Sequence, residues 1–220
     1  THVTDNHAIL TPMALVNEIL DQVPLTGKIL AIANVEWIIA LKQRKVDMSL
    51  VTFVSPCAVK NGFVSAVSKE INIVERSLLE WETDMKFDVV IGNPPYQGTR
   101  DGVDGDANVY QDFVTLAVDL LVASGVAAMI TPTKWIGKKT SKTQKSAGYN
   151  VYLNNHIEYL EIFDTLKKNE YFSVGSQICW YTIRKVPPVS ATKLAVWDNN
   201  NKHISSIDLA EFYGRSFPMV

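Results

Sequence analysis

The sequence predicts an α/β fold, a mainly parallel sheet flanked by helices, and two patterns predict it. Between Thr11 and Lys185, short apolar runs of strand length alternate with segments whose apolar residues recur at helical spacing. Turn-forming residues such as Gly27, Gly92 and Thr131-Pro132 stand at the junctions. Size agrees with the pattern. With 220 residues, 47% hydrophobic and 20% charged, the chain is large enough for one domain with a full core and too apolar for intrinsic disorder.

In chain order, Thr11-Pro12 opens a helix whose Met13, Leu15, Val16, Ile19 and Leu20 share one face, ending near Pro24. Residues 28–33 form a strand after Gly27 and run into a helix through residues 37–41. A second strand follows at 50–54, a helix or turn at 62–67, a short strand at 71–74, and a buried strand at 87–91 closed by Gly92. Residues 98–108 read as an acidic, glycine-rich loop, after which Tyr110, Phe113, Leu116, Ala117, Leu120 and Leu121 mark an amphipathic helix. Strands at 126–130, at the end of 152–162 and at 176–184 complete the set. This organisation makes residues 1–187 the main domain. Residues 188–220 are expected to be an appendage or the stub of a further region, with an apolar run at 194–197, a turn at 198–201 and a short helix at 206–213.

Composition narrows the function. A net charge of -2 means that contact with nucleic acid must come from a local basic patch. Cys57 and Cys179 are too few for a disulfide framework and lack metal-ligand spacing, so a reduced, cytoplasmic setting without a metal site is expected. No charged-then-apolar leader opens the sequence, and the longest apolar stretch, residues 114–130, is interrupted by Asp119, so no membrane segment is expected.

In an open α/β sheet, ligands bind beyond the carboxyl ends of the strands. Asn93-Pro94-Pro95-Tyr96 stands there, directly after strand 87–91. The prolines fix their own φ and restrict the residues before them, so the carbonyls of Asn93 and Pro94 keep set directions. An exocyclic amine carries two N–H donors. The Asn93 side-chain oxygen and the Pro94 carbonyl supply two acceptors that would aim its lone pair at an electrophilic methyl group. Tyr96 adds a π face for a base turned out of a duplex, a contact worth about 1–3 kcal/mol. In isolation the same four residues also suit a tight turn or a proline-rich ligand for a partner domain. The buried strand before them favours the base-binding reading.

With residues 85–97 (MKFDVVIGNPPYQ), Asn108-Val109-Tyr110 at a helix start, Ile130-Thr131-Pro132 at a strand end and residues 172–184 (FSVGSQICWYTIR), the chain resembles the Eco57I/TaqI-like N6-adenine DNA methyltransferases. It is especially similar to the short versions found in phages, and the resemblance runs from Ala8 to Lys185. It implies a Rossmann-like S-adenosylmethionine-dependent methyltransferase fold, S-adenosylmethionine as methyl donor, DNA as substrate, and a restriction-modification setting in a bacterial or phage-infected cell. It also implies catalytic roles for Asn93, Pro94, Pro95 and Tyr96.

The cofactor positions depart from that family's pattern. Its glycine-rich loop with an acid is replaced by Ala31-Ile32-Ala33-Asn34-Val35-Glu36-Trp37, and its further acids by Val54-Ser55-Pro56 and Arg76-Ser77-Leu78. Glycines let the backbone approach the cofactor, and acids accept from the ribose hydroxyls. The expected cofactor contacts are therefore Thr11, Pro12, Asn34, Glu36, Ser55 and Ser77, with Thr11-Pro12 similar to the element that closes over the methionine end. Val35 and Glu36 are expected to fill part of that space, which makes binding by the chain alone weak. Glu36 also suits a solvated first-turn residue favoured by the helix dipole, and Thr11-Pro12 a plain helix start. Asp88, inside its strand, reads as structural.

Residues 131–146 hold Lys134, Lys138, Lys139, Lys142 and Lys145, no acid, and one aromatic, Trp135. The lysines suit phosphate contact, and Trp135 is expected near the target base. Asp101, Asp104 and Asp106 oppose them at the same mouth. Base-specific recognition requires more chain than the segment after Pro188 offers, so either a partner subunit or a further segment completes the recognition or cofactor site, or the protein has little specificity of its own. Two other functions stay open on sequence alone. One is a catalytically inactive methyltransferase-fold subunit that binds nucleic acid or protein, favoured by the altered cofactor loops. The other is an amino-methyltransferase acting on RNA or protein glutamine.

Overall fold

A computed structural model describes residues 10–100, 103–107, 109–136, 147–189 and 191–208. The elements run α1 (Met13–Leu20), β1 (Ile29–Ile32), α2 (Val35–Gln43), β2 (Val51–Val54), α3 (Ala58–Val67), β3 (Asn72–Val74), β4 (Phe87–Gly92), β5 (Gly98–Arg100), β6 (Val103–Ala107), α4 (Tyr110–Asp119), β7 (Leu121–Pro132), α5 (Ala147–Asn154), β8 (His156–Ile162), α6 (Thr165–Tyr171), β9 (Ile178–Arg184), β10 (Thr192–Asp198) and β11 (Asn201–Ile207). The described residues form a nine-stranded sheet in the order β11-β10-β8-β9-β7-β4-β1-β2-β3. Strands β3, β2, β1, β4 and β7 are parallel, and β9 is inserted antiparallel between β7 and β8.

Every residue of β1 and β2 is buried, because helices cover both faces of a parallel sheet. Helix α1 buries Leu15, Val16, Ile19 and Leu20, the face that its spacing predicts. Successive strands run outward from β1 to β3, and the chain then crosses back to place β4 on the other side of β1. That reversal opens a crevice at the carboxyl ends of β1 and β4, where ligands bind in such sheets. Asp88 is structural here. Its carboxylate accepts from the Lys28 N–H at 2.7 Å, and Gly27, at φ +73°, leaves room for it, since a Cβ there would lie 2.1 Å from the carboxylate.

Helix α1 is clamped on two sides. Arg44 donates to the backbone and side-chain oxygens of Asn17 and pairs with Asp21 at 2.8 Å. Lys202 of β11 pairs with Glu18 at 2.8 Å and with the fully buried Glu161 at 2.7 Å. Glu161 also accepts from the Tyr159 hydroxyl and the Trp197 indole, both at 2.5 Å, so its buried charge is surrounded by donors.

Three expectations differ from the structure. Residues 192–207 are not an appendage by architecture: β10 pairs parallel with β8, and β11 pairs antiparallel with β10, extending the same sheet. Their connection is a hairpin turn with Asn199 at φ 46° and Asn200 at φ 65°, the positive-φ pair that a type I′ turn requires. Ser206 and Ile207 belong to β11 and not to a helix, while residues 209–220 lie outside the described residues. The acidic loop contains the β5–β6 hairpin, whereas the strand expected at the end of 152–162 is present as His156–Ile162, after α5.

Candidate active site

Asn93 follows the last residue of β4 and is completely buried, with Pro94, Pro95 and Tyr96 buried beside it. Its Nδ2 donates to Thr11 Oγ1 at 3.2 Å, and Asn34 Nδ2 donates to the same oxygen at 3.0 Å. On the other side of the Asn93 carboxamide, the Tyr96 hydroxyl donates to Oδ1 at 2.8 Å. The structure therefore joins the residue before α1, the turn after β1 and the turn after β4. Tyr96 packs into the core, so the stacking face expected of it is covered in this arrangement.

The turn after β1 shows how a segment without glycine makes the bend. Ala33 adopts φ +65°, and the Asn34 N–H reaches back to the Ile32 carbonyl at 2.8 Å, which closes a γ-turn of the strained, left-handed kind. Beside it lies a narrow cleft of about 230 Å³, lined by Ile32, Ala33, Val54, Pro56, Ser77, Leu78, Pro95 and Phe113. Its enclosed cavity is only about 10 Å³, the rest of the cleft being open to solvent. Of the expected cofactor contacts, Ser77 lines this cleft, while its Oγ accepts from the Leu79 N–H. Ser55 does not line it, and its Oγ accepts from the Cys57 N–H. Pro12 caps α1 without a side-chain bond. Asn34 donates its side-chain N–H to Thr11.

Ala33 lines the cleft, while Val35 and Glu36 enter α2. Glu36 is half-buried in the first turn of α2, and its Oε2 is buried with no hydrogen-bond partner among the described residues. S-adenosylmethionine fits this region in kind. Apolar walls suit a purine, and an orphaned carboxylate oxygen at a helix start suits an ammonium group. The fit is poor in size, and no carboxylate lines the cleft to accept from ribose hydroxyls.

Sequence reasoning missed an aromatic wall made by Trp135, Tyr152 and Tyr181. Trp135 is 1% exposed, stacks on Tyr152 at 3.9 Å with 5° between the ring planes, and donates to Thr131 Oγ1. Its ring completes the core between α5 and β9. Tyr152 and Tyr181 share a hydroxyl hydrogen bond at 2.9 Å. Burial raises the phenols of Tyr96, Tyr152 and Tyr181, pushes Tyr110 up to about 12, and pushes the Cys179 thiol up to about 12. The wall is therefore neutral at ordinary pH and supplies no thiolate or phenolate nucleophile.

Lys134 is exposed just beyond β7, at the sheet end that carries Asn93, because β7 runs parallel to β4. Lys138, Lys139, Lys142 and Lys145 lie outside the described residues. Among the described residues, no group of three or more His, Cys, Asp or Glu could hold a metal ion, and no helix is long and apolar enough to cross a membrane.

A family model described as Eco57I restriction-modification methylase matches residues 26–172. An adenine-specific methylase of Mycoplasma pneumoniae is 39% identical over 89 residues, covering 39% of this chain and 17% of its own. The type II methyltransferase M.CvrRI of Paramecium bursaria Chlorella virus XZ-6E is 24% identical over 131 residues, covering 55% and 32%. The chain thus spans between about a sixth and a third of the length of these curated relatives. Among solved structures, a Listeria monocytogenes protein assigned to the class I S-adenosylmethionine-dependent methyltransferases aligns over 91% of this chain and 69% of its own, at 14% identity and a TM-score of 0.62.

Proposed function

Because this chain belongs to the Eco57I restriction-modification methylase family, we propose that it carries the methyl-transfer core of an N6-adenine DNA methyltransferase. The observation that carries the proposal is the Asn93 carboxamide, buried at the end of β4 with its Oδ1 already accepting an O–H donor at 2.8 Å. An adenine turned out of the duplex would replace that donor with one N–H of its amine and give the other to the Pro94 carbonyl. The two acceptors draw the amine out of conjugation and aim its lone pair toward the end of β1. S-adenosylmethionine, when bound, supplies the electrophilic methyl group. Asn34 and Glu36 would hold its methionine end, and Ser77 with the apolar cleft its adenine end. Tyr96 leaves Asn93 as the base enters, and its freed ring stacks on the base.

The cleft must widen before a nucleoside can enter, so the isolated chain binds the cofactor weakly, and bound DNA or a partner subunit completes the pocket. Lys134, together with Lys138, Lys139 and Lys142, meets the DNA phosphates. The test is methyl transfer from labelled S-adenosylmethionine to unmethylated DNA, with the product nucleoside identified by mass spectrometry. N6-methyladenine that disappears with Asn93→Ala supports the reading. Label on RNA or protein would assign another acceptor, and no transfer with any acceptor or partner would make the chain a binding subunit. Calorimetric titration tests the cofactor arm: a dissociation constant of a few micromolar, in place of roughly 100 μM or weaker, overturns the weak-binding part.

A further inference from the structure

We infer that Thr11 is a positioning residue that sets the orientation of the Asn93 carboxamide, an inference that rests on the reading of Asn93 as the amine acceptor. A carboxamide offers an acceptor on one side and a donor on the other, and its two orientations are nearly the same shape but opposite in chemistry. One turns Oδ1 toward an incoming amine. The other turns N–H groups at N–H groups, and no amine binds. Asn93 is fully buried, so the choice is made by its neighbours. Thr11 Oγ1, 1% exposed, receives Nδ2 from Asn93 at 3.2 Å and Nδ2 from Asn34 at 3.0 Å. A hydroxyl oxygen has two acceptor positions, and these two donors fill both. With Nδ2 held inward, Oδ1 faces the Tyr96 hydroxyl and hence the place proposed for the amine.

Independent observations show that the bridge is built at the expense of other contacts. Thr and Asn at helix starts ordinarily cap the first turn with their side chains. Asn34 is the N-cap of α2 and makes no side-chain cap bond. Thr11 precedes α1, where Pro12 takes the N-cap position, also without a side-chain bond. The Thr11 hydroxyl turns to Asn93, and the Asn34 side chain turns to that same hydroxyl. Thr11 lies 82 residues from Asn93 in sequence, yet its position is firm because α1 is clamped by Arg44 and by Lys202.

The experiment compares wild type, Thr11→Ser, which keeps the hydroxyl, and Thr11→Val, which keeps the shape without the acceptor. In wild type, nuclear Overhauser contacts from the Asn93 Nδ2 protons to the Thr11 side chain test the orientation with no variant and no activity required. Their presence is expected. Contacts from Asn93 Nδ2 to Tyr96 in their place would overturn the inference. In Thr11→Val, single-turnover methyl transfer at saturating cofactor and DNA should fall about ten- to a hundredfold, with half-saturating DNA concentration little changed, and Thr11→Ser should restore it. A Thr11→Val rate equal to wild type would overturn it as well. If wild type transfers no methyl group, the functional reading fails by itself, and the nuclear Overhauser contacts still decide whether Thr11 holds the carboxamide. If Thr11→Val does not fold, the wild-type contacts and the Thr11→Ser rate carry the decision, since a Ser variant as slow as a missing hydroxyl would refute it.

Discussion

Ala33→Gly isolates the contribution of the turn after β1. At φ +65° the Ala33 Cβ crowds its own backbone, which costs about 1–2 kcal/mol for an L-residue with a side chain. Glycine removes that strain but loses about 0.5–1 kcal/mol more conformational freedom on folding. The two terms leave the variant between neutral and about 1.5 kcal/mol more stable than wild type, whereas alanine-to-glycine in a helix interior costs about 1 kcal/mol. Ala33 also lines the cleft, whose enclosed cavity is only about 10 Å³. Removing the Ala33 methyl group should tighten S-adenosylmethionine binding about three- to tenfold, or about 0.7–1.4 kcal/mol. Urea denaturation reads the first effect and calorimetric titration the second. Destabilisation by more than about 1 kcal/mol would show that the turn is not strained as argued. Unchanged or weaker cofactor affinity would show that Ala33 does not limit entry.

Tyr96→Phe removes the donor that occupies Asn93 Oδ1 and keeps the ring, so DNA binding should hold or tighten with a transfer rate near wild type; Tyr96→Ala should slow transfer more than tenfold by losing base stacking, and equal effects would assign the role to the hydroxyl. Lys202→Met leaves the buried Glu161 charge without its cation and should cost about 3 kcal/mol in urea denaturation, a loss that an unchanged midpoint would refute. Alkali should unfold the protein through the aromatic wall. The folded state keeps Cys179 and Tyr110 protonated up to about 12, while unfolding returns them to ordinary values near 9 and 10, so their contribution is whole below about pH 9 and lost as pH rises toward 12. Melting temperatures identical at pH 8 and pH 11 would contradict that assignment.

Much of the architecture was legible in local pattern. The apolar runs of β1, β2 and β4, the single face of α1, the asparagine turn at 198–201 and the position of Asn93 beyond a buried strand all follow from spacing and backbone preference within one segment. The polar strand β11 escaped that reading. Most of its residues are exposed, and as an edge strand paired on one side it needs no apolar alternation to find its place. Trp135 escaped for another reason, since nothing in the residues beside it marks its ring as part of the core. The sequence determined which residues could do the chemistry, because residue type and local backbone restriction are written along the chain. Only the tertiary structure decided that Thr11, Asn34 and Asn93 share one hydroxyl and that Ala33 bends where glycine was expected, because hydrogen-bond partners 23 and 82 residues apart are chosen by how helices seat on the sheet and not by any local preference.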